Sequence, residues 1–224
     1  MNSKSTAKTT EELPLKFDDF DYERPSMEAF TSLFKNLLTA FQNAQDFEEQ
    51  NQLFEQINTM RKEYSSMYNI CHIRHTINTK DDFYEEENNF FDTNNPSFAA
   101  LVNEFYKLLL NSKYRHELEK KWGSQLFVIA ELSLKTFEPV ILEDLQQENK
   151  LSSEYVKLKA SATINFQGQE HNLASLSPFE TSKDRSVRKA AAEAKWSFYA
   201  QNESQIEEIF DQQVAVRHQI AHKL

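Results

Sequence analysis

The sequence predicts an all-α fold, mainly antiparallel helices, with one small β-hairpin near residues 161–174. Three observations carry that prediction. The 224 residues contain only 2 Gly, against roughly 16 in an average chain of this length. Apolar residues recur at three- and four-residue spacing along most of the chain. Period-two alternation occurs in one place only, Ser161-Ala162-Thr163-Ile164-Asn165-Phe166, followed by Gln167-Gly168 as a turn.

The same composition excludes several function classes. Phosphate-cradling loops, dinucleotide folds and multi-hairpin barrels need glycine where φ is positive or backbone approaches a ligand. One Cys excludes a disulfide framework and multi-cysteine zinc modules. A formal charge of −10 argues against nucleic acid as the main partner, because neutralising phosphates takes clustered Lys and Arg. No stretch approaches the ~18 apolar residues of a membrane span. Residues 1–16, rich in Ser, Thr and Lys with no apolar run, are expected to be a disordered tail and not a secretory signal. The expected setting is the cytoplasm, with no membrane partner.

Pro14 and Pro25 bracket an extended opening segment, LKFDDFDYER. Ser26 is placed as an N-cap, and Met27, Phe30, Phe34, Leu37, Leu38 and Phe41 form one helical face. A second, long helix starts near Asp46, with Phe47, Phe54, Ile57, Tyr64, Tyr68 and Cys71 in register and no Gly or Pro as far as Lys80. A third begins at Asp81–Asp82 and carries Phe83, Tyr84, Phe90 and Phe91. Thr93-Asn94-Asn95-Pro96 should interrupt it, because a residue before proline is pushed out of the α region. Pro96 then opens a helix whose stripe is Phe98, Leu101, Val102, Phe105, Tyr106 and Leu109.

Asn111–Tyr114 reads as a break, and a charged helix follows to Trp122-Gly123. Ser124 is expected to cap the next helix, with Phe127, Ala130, Leu132 and Leu134 in the core. Pro139 starts a helix running to about Lys159. After the hairpin, Ser182-Lys183-Asp184 leads into a helix bearing Val187, Ala191, Ala194, Phe198 and Tyr199. A break at Asn202-Glu203-Ser204 precedes the last stripe, Ile206, Ile209, Phe210, Val214 and Ile220. The organisation expected is a tail over 1–16, a helical subdomain over 17–112, and a helical segment with the hairpin over 113–224. The ending VAVRHQIAHKL has no Gly or Asn C-cap, which fits a sequence cut within a larger fold.

Several clusters carry candidate chemistry. His218 and His222 share a helix face at i and i+4, the spacing of a zinc pair. A zinc hydrolase of the His-Glu-x-x-His type needs the Glu as base, and Gln219 offers an amide instead. Cys71, His72 and His75 are helical neighbours, yet Cys71 lies on the apolar stripe, where a free Cys acts as a small hydrophobe. His116-Glu117-Leu118-Glu119-Lys120 has Lys where a second His would stand. The acidic runs Asp81–Glu87 and Glu203–Glu208 lack the glycine-turned loop of a calcium site and read as solvated helix faces. Lys183–Lys189 reads as a capped helix start with a basic surface. No complete catalytic set is present, so no catalytic, cofactor-binding or metal-ligating residue is assigned.

The stretch LKTFEPVILEDLQQENKLSSEYVKL, Leu134 to Leu158, precedes the hairpin, and SKDRSVRK, Ser182 to Lys189, follows it. Tyr22-Glu23-Arg24-Pro25, Ile73-Arg74-His75-Thr76, Asp82-Phe83-Tyr84 and Val216-Arg217-His218-Gln219-Ile220-Ala221 stand in order around them. Together they resemble the amino-terminal half of oligoendopeptidase F-type zinc metallopeptidases, which are grouped with thimet oligopeptidase. The resemblance implies a helical clam around a deep channel, cleavage of internal bonds in short peptides, and zinc in the full-length family. It also implies that the His-Glu-x-x-His motif and its extra Glu lie beyond the matched region. No zinc is therefore expected on this chain, which alone should be inactive. The alternatives are a stand-alone helical module that binds peptides or a partner protein, and an independent metal enzyme built on Cys71, His72, His75, His218 and His222. A cut through a shared core would also expose apolar helix faces and favour self-association.

Overall fold

The structure, a computed structural model, describes residues 16–224. The expected tail lies outside it as far as residue 15, and so does Pro14. A 3-10 turn at Phe17–Asp19 sits inside the segment expected to be extended. Helix α1 spans Met27–Asn43, capped by Ser26, whose side chain accepts from the Ala29 N–H. Helix α2 runs 31 residues, Phe47–Ile77. Asp46 Oδ1 accepts from the Glu49 N–H at 2.9 Å, and Glu49 Oε2 reaches back to the Gln45 N–H at 2.7 Å. Asp46 thereby satisfies a first-turn donor that would otherwise stay open, and Glu49 satisfies the N–H of the residue just before the cap.

Helix α3 is continuous over Asp82–Leu110, with Pro96 inside it. The expected break at Thr93–Pro96 does not occur. Proline removes one helical N–H and crowds the carbonyl four residues earlier, here that of Asp92. Helix α6, Leu142–Ala160, repairs the damage from outside. Asn149 Nδ2 donates to the Asp92 carbonyl at 3.2 Å, and Gln146 Nε2 donates to the Thr93 carbonyl at 2.6 Å. Tertiary donors thus replace the missing ladder bond and the helix carries on.

Between them lie α4, Arg115–Trp122, and α5, Ser124–Lys135. Ser124 is the first residue of α5 and makes no capping bond; the junction is Gly123, at φ 88° and ψ 149°. That region of the map is open essentially to glycine alone. A Cβ there would meet nothing within 4 Å, so the cost of a side chain is backbone strain only. Gly123→Ala should lose about 1–2 kcal/mol, read as a lower urea midpoint with unchanged helix content. The second glycine, Gly168 at φ 79°, makes the hairpin turn. The chain's two glycines are therefore both spent where φ must be positive.

After a 3-10 turn at Pro139–Ile141 and α6 comes the antiparallel pair β1, Ile164–Phe166, and β2, Gln169–His171. Its register pairs Ile164 with His171 and Phe166 with Gln169. A short helix that sequence periodicity misses, α7, spans Ser177–Glu180. Helices α8, Arg185–Gln201, and α9, Glu203–Lys223, complete the described residues. Nine helices and one hairpin among the described residues make the fold all-α with a small β insertion.

The main core joins Phe34, Leu38 and Phe41 of α1 to Phe54 and Ile57 of α2, and to Leu101, Phe105 and Leu109 of α3. Leu118 of α4 and Phe127 and Ala130 of α5 belong to the same core, across the 112/113 division. A second cluster, Tyr64, Cys71 and Phe91, continues along α2 and α3. A third seats Ile164 and Phe166 on Leu176 and Ala191. Four residues expected in apolar stripes are instead exposed: Phe83, Leu132, Phe210 and Val214. Phe83 keeps an edge-on contact with Tyr22, at 6.1 Å between ring centroids.

Candidate functional site

The densest polar cluster lies where the α2–α3 turn meets the opening segment and α6. Four phrases from different parts of the sequence converge there. Arg24 grips Glu87 with Nε at 2.9 and 3.0 Å and Nη2 at 2.5 Å, and its Nη2 also reaches Glu86 at 2.9 Å. The Tyr22 hydroxyl donates to the same Glu87 carboxylate. Arg74 Nη1 donates to the Tyr84 hydroxyl at 2.7 Å, and its Nη2 donates to the Phe20 carbonyl at 2.6 Å. His75 Nε2 donates to Glu85 Oε2 at 2.9 Å, while Lys157 Nζ donates to Oε1.

Charge states follow from these contacts. Burial works to raise the Glu87 carboxyl, but the bonds from Arg24 and Tyr22 outweigh it and hold it below the ordinary range. Glu85 behaves in the same way, lowered by Lys157 and His75 against its burial. Asp92 goes the other way: burial raises it, and the bond from Ser153 Oγ at 2.5 Å only partly compensates. Asn88 Nδ2 ties this carboxylate in, donating to Asp92 Oδ2 at 3.0 Å and to Ser153 Oγ at 3.1 Å. The acidic run Asp81–Glu87 is thus not a solvated face as expected: Glu87 is 3% exposed, and Asp81 caps α3. These carboxylates fasten three helices together.

The sequence candidates separate cleanly. Cys71 is fully buried, and burial first, then the Glu87 charge, pushes its thiol up to about 12. A thiol held there has almost no thiolate at neutral pH and is a poor nucleophile. His75 is spent on Glu85, and His72 stacks on Tyr68 with centroids 5.6 Å apart. His116 and Lys120 are exposed on α4. At the start of α8, Asp184 accepts from the Ser186 N–H at 2.7 Å, and Arg188 Nη1 returns to the Ser182 carbonyl at 2.6 Å. The run Glu203–Glu208 is exposed apart from Ile206.

His218 and His222 bring their Nε2 atoms to 3.0 Å on an exposed face of α9. Among the described residues, no three His, Cys, Asp or Glu side chains gather as a metal site. A catalytic zinc takes three protein ligands and a base for its water, so these residues do not fit one.

This arrangement of α1–α5 around α3, with the opening segment locked by Arg24, coincides with a known family. Residues 17–137 match the family model described as the peptidase M3 N-terminal domain. The chain belongs to the peptidase M3 family. Solved structures extend the match past α5. A PZ peptidase A with inhibitor 2 is 50% identical, covers 93% of this chain and superposes with a TM-score of 0.90. A protein assigned as oligoendopeptidase F from Bacillus anthracis str. Ames is 44% identical over 94% of the chain, with a TM-score of 0.91. A further structure assigned as oligoendopeptidase F is 48% identical, again with a TM-score of 0.91. This M3 chain spans 37–39% of the length of those structures. No curated protein matches the sequence significantly.

Four of the six phrases that carry the resemblance, Tyr22–Pro25, Ile73–Thr76, Asp82–Tyr84 and Leu134–Leu158, contribute residues to the polar cluster; Ser182–Lys189 and Val216–Ala221 do not. Sequence reasoning missed Glu85, Glu87, Asp92 and Ser153 as a joint. The only local hint was the mixture of Asp, Glu and Asn on a helix whose other face is aromatic.

Proposed function

We propose that this chain forms the amino-terminal portion of a zinc metallo-oligoendopeptidase, an enzyme that cleaves internal bonds of short peptides. The observation that supports it best is the superposition at TM-scores of 0.90–0.91 with 44–50% identity on PZ peptidase A and oligoendopeptidase F structures. On this reading, zinc is held by M3 residues beyond the matched segment. The present residues supply a stiff helical wall that admits extended peptides and excludes folded proteins. The first helical unit runs through α5, because α4 and α5 share its core, and the segment from α6 onward begins the catalytic scaffold.

The remainder of the M3 fold covers the apolar residues left open on α8 and α9, Trp196, Phe210 and Val214; without that cover, the same residues favour self-association. No helix among the described residues is long and apolar enough to cross a membrane, and the reading places the protein in the cytoplasm.

The test is a fluorogenic oligopeptide assay with zinc. The 224-residue chain alone should show no turnover above buffer. Mixed or co-expressed with the catalytic portion of an oligoendopeptidase F, it should give cleavage that a chelator abolishes. Chelator-sensitive turnover by the clean chain alone would overturn the reading, and so would failure to associate with that catalytic portion.

A further inference from the structure

A second concave region lies beside the polar cluster. It is a cleft of about 590 Å³ enclosed by the α2–α3 turn, α6, the loop after β2, and α8. Lys80, Lys159 and Lys195 line it, together with Tyr155 and Tyr199, and no Asp or Glu does. That is unusual for a chain with 35 acidic and 25 basic residues.

The lysines are not there to cap helices. At the end of α2 the Arg74 carbonyl accepts the Asn78 N–H, and at the end of α6 the Lys157 and Lys159 carbonyls accept the Ser161 and Ala162 N–H groups. Among the described residues, the Lys80 and Lys159 ammonium groups neither pair with a carboxylate nor donate to a carbonyl, and Lys159 lies 5.1 Å over the Tyr155 ring. Only Lys195 is partnered, by Glu180 at 3.0 Å.

The frame around these charges is fixed. Lys157 is committed to Glu85, which pins α6 to α3, and Lys159 follows two residues later, about 200° around the helix. An Asn78 side chain accepts the Lys80 N–H at 3.2 Å and shapes the turn. Asn172 Oδ1 accepts the Ser175 N–H at 2.8 Å and fixes the opposite lip. Its Nδ2 has no acceptor among the described residues, so it is free to donate to a ligand.

We propose that this cleft binds the carboxylate of a short peptide, with Lys80 and Lys159 holding the anion and Tyr155 and Tyr199 flanking the adjoining side chain. Two ammonium groups with no carboxylate partner among the described residues, set in a half-enclosed site, form charge-assisted hydrogen bonds that a neutral terminus cannot replace. The peptide class rests on the function proposed above. The site thereby becomes a specificity element, one that selects peptides by their acidic end.

Fluorescence polarisation of N-terminally labelled heptapeptides on the 224-residue chain, without zinc, tests this directly. A free-acid peptide should bind about tenfold more tightly than its C-amidated twin. The double variant Lys80→Gln/Lys159→Gln should lose that preference while still binding the amide and melting at the same temperature. Lys189→Gln, at an exposed ion pair with Glu193 on α8, should keep it. An amidated peptide with an internal Glu that binds as well as the free acid would identify a side-chain carboxylate as the source. Equal binding of acid and amide peptides without acidic side chains would overturn the proposal. So would a preference that survives the double variant, or inorganic phosphate that fails to compete. Binding is read without turnover, so failure here leaves the peptidase assay intact, and failure there leaves this result readable.

Discussion

Phe105→Ala should cost about 3–5 kcal/mol of folding free energy, the range for emptying a large aromatic site in a core. Phe105 is fully buried in the C-terminal part of α3. Its ring meets Phe41 of α1 edge-on at 5.6 Å and Phe54 of α2 at 5.6 Å. The Arg61 guanidinium stands 5.8 Å over the same ring. One side chain therefore joins three helices, and the neighbours that would have to collapse into the gap are themselves rigid aromatics. Alanine is the better helix former, so helix content before unfolding should not fall. For a chain of this size the loss corresponds to a melting temperature lower by about 10 °C. A urea series on wild type and variant measures it. A loss under about 1 kcal/mol would mean that the aromatic cluster repacks, and that α1 and α2 are not held by this contact.

That core was legible in the sequence because burial on a helix leaves a periodic trace. Phe34, Leu38 and Phe41, and Leu101, Phe105 and Leu109, stand at the three- and four-residue steps that one helical face dictates. What could not be read was anything settled between elements. Pro96 breaks a local rule, and only Gln146 and Asn149, some 50 residues further on, make its helix permissible. The exposure of Phe210 and Val214 depends on which neighbours are present, and periodicity alone does not state that. Gly123 was visible as a helix boundary, but its φ was not, so the capping role fell wrongly to Ser124. The polar cluster was the least legible part. Tyr22, Arg24, His75, Glu87 and Lys157 form no motif at fixed spacing, and it took the folded chain to bring them together. The lysine cleft has the same character, its three cations coming from a turn and two separate helices.

Glu87→Gln should lose about 2–3 kcal/mol at neutral pH. Breaking a buried ion pair by removing one partner costs about 3–5 kcal/mol, and the Arg24 side chain is 41% exposed, so solvent relieves part of the penalty. Gln keeps the shape and one acceptor, so the change isolates charge from packing. The sign of the pH dependence follows from the lowered carboxyl. Burial alone would raise it, but the Arg24 and Tyr22 bonds prevail. The ionised form is therefore the one the fold prefers. Its contribution is fully present above the unfolded carboxylate value of about 4.3 and disappears as pH falls through the lower folded value. Urea midpoints of wild type and Glu87→Gln should accordingly stand well apart at pH 7, remain apart at pH 5, and converge as the solution is taken below pH 3. Arg24→Gln should reproduce much of the loss, and the double variant should cost less than the two singles summed, because both remove the same pair. A gap between wild type and Glu87→Gln that persisted undiminished well below pH 3 would mean that the carboxylate acts through shape alone, and that the opening segment is held on α3 by packing and not by charge.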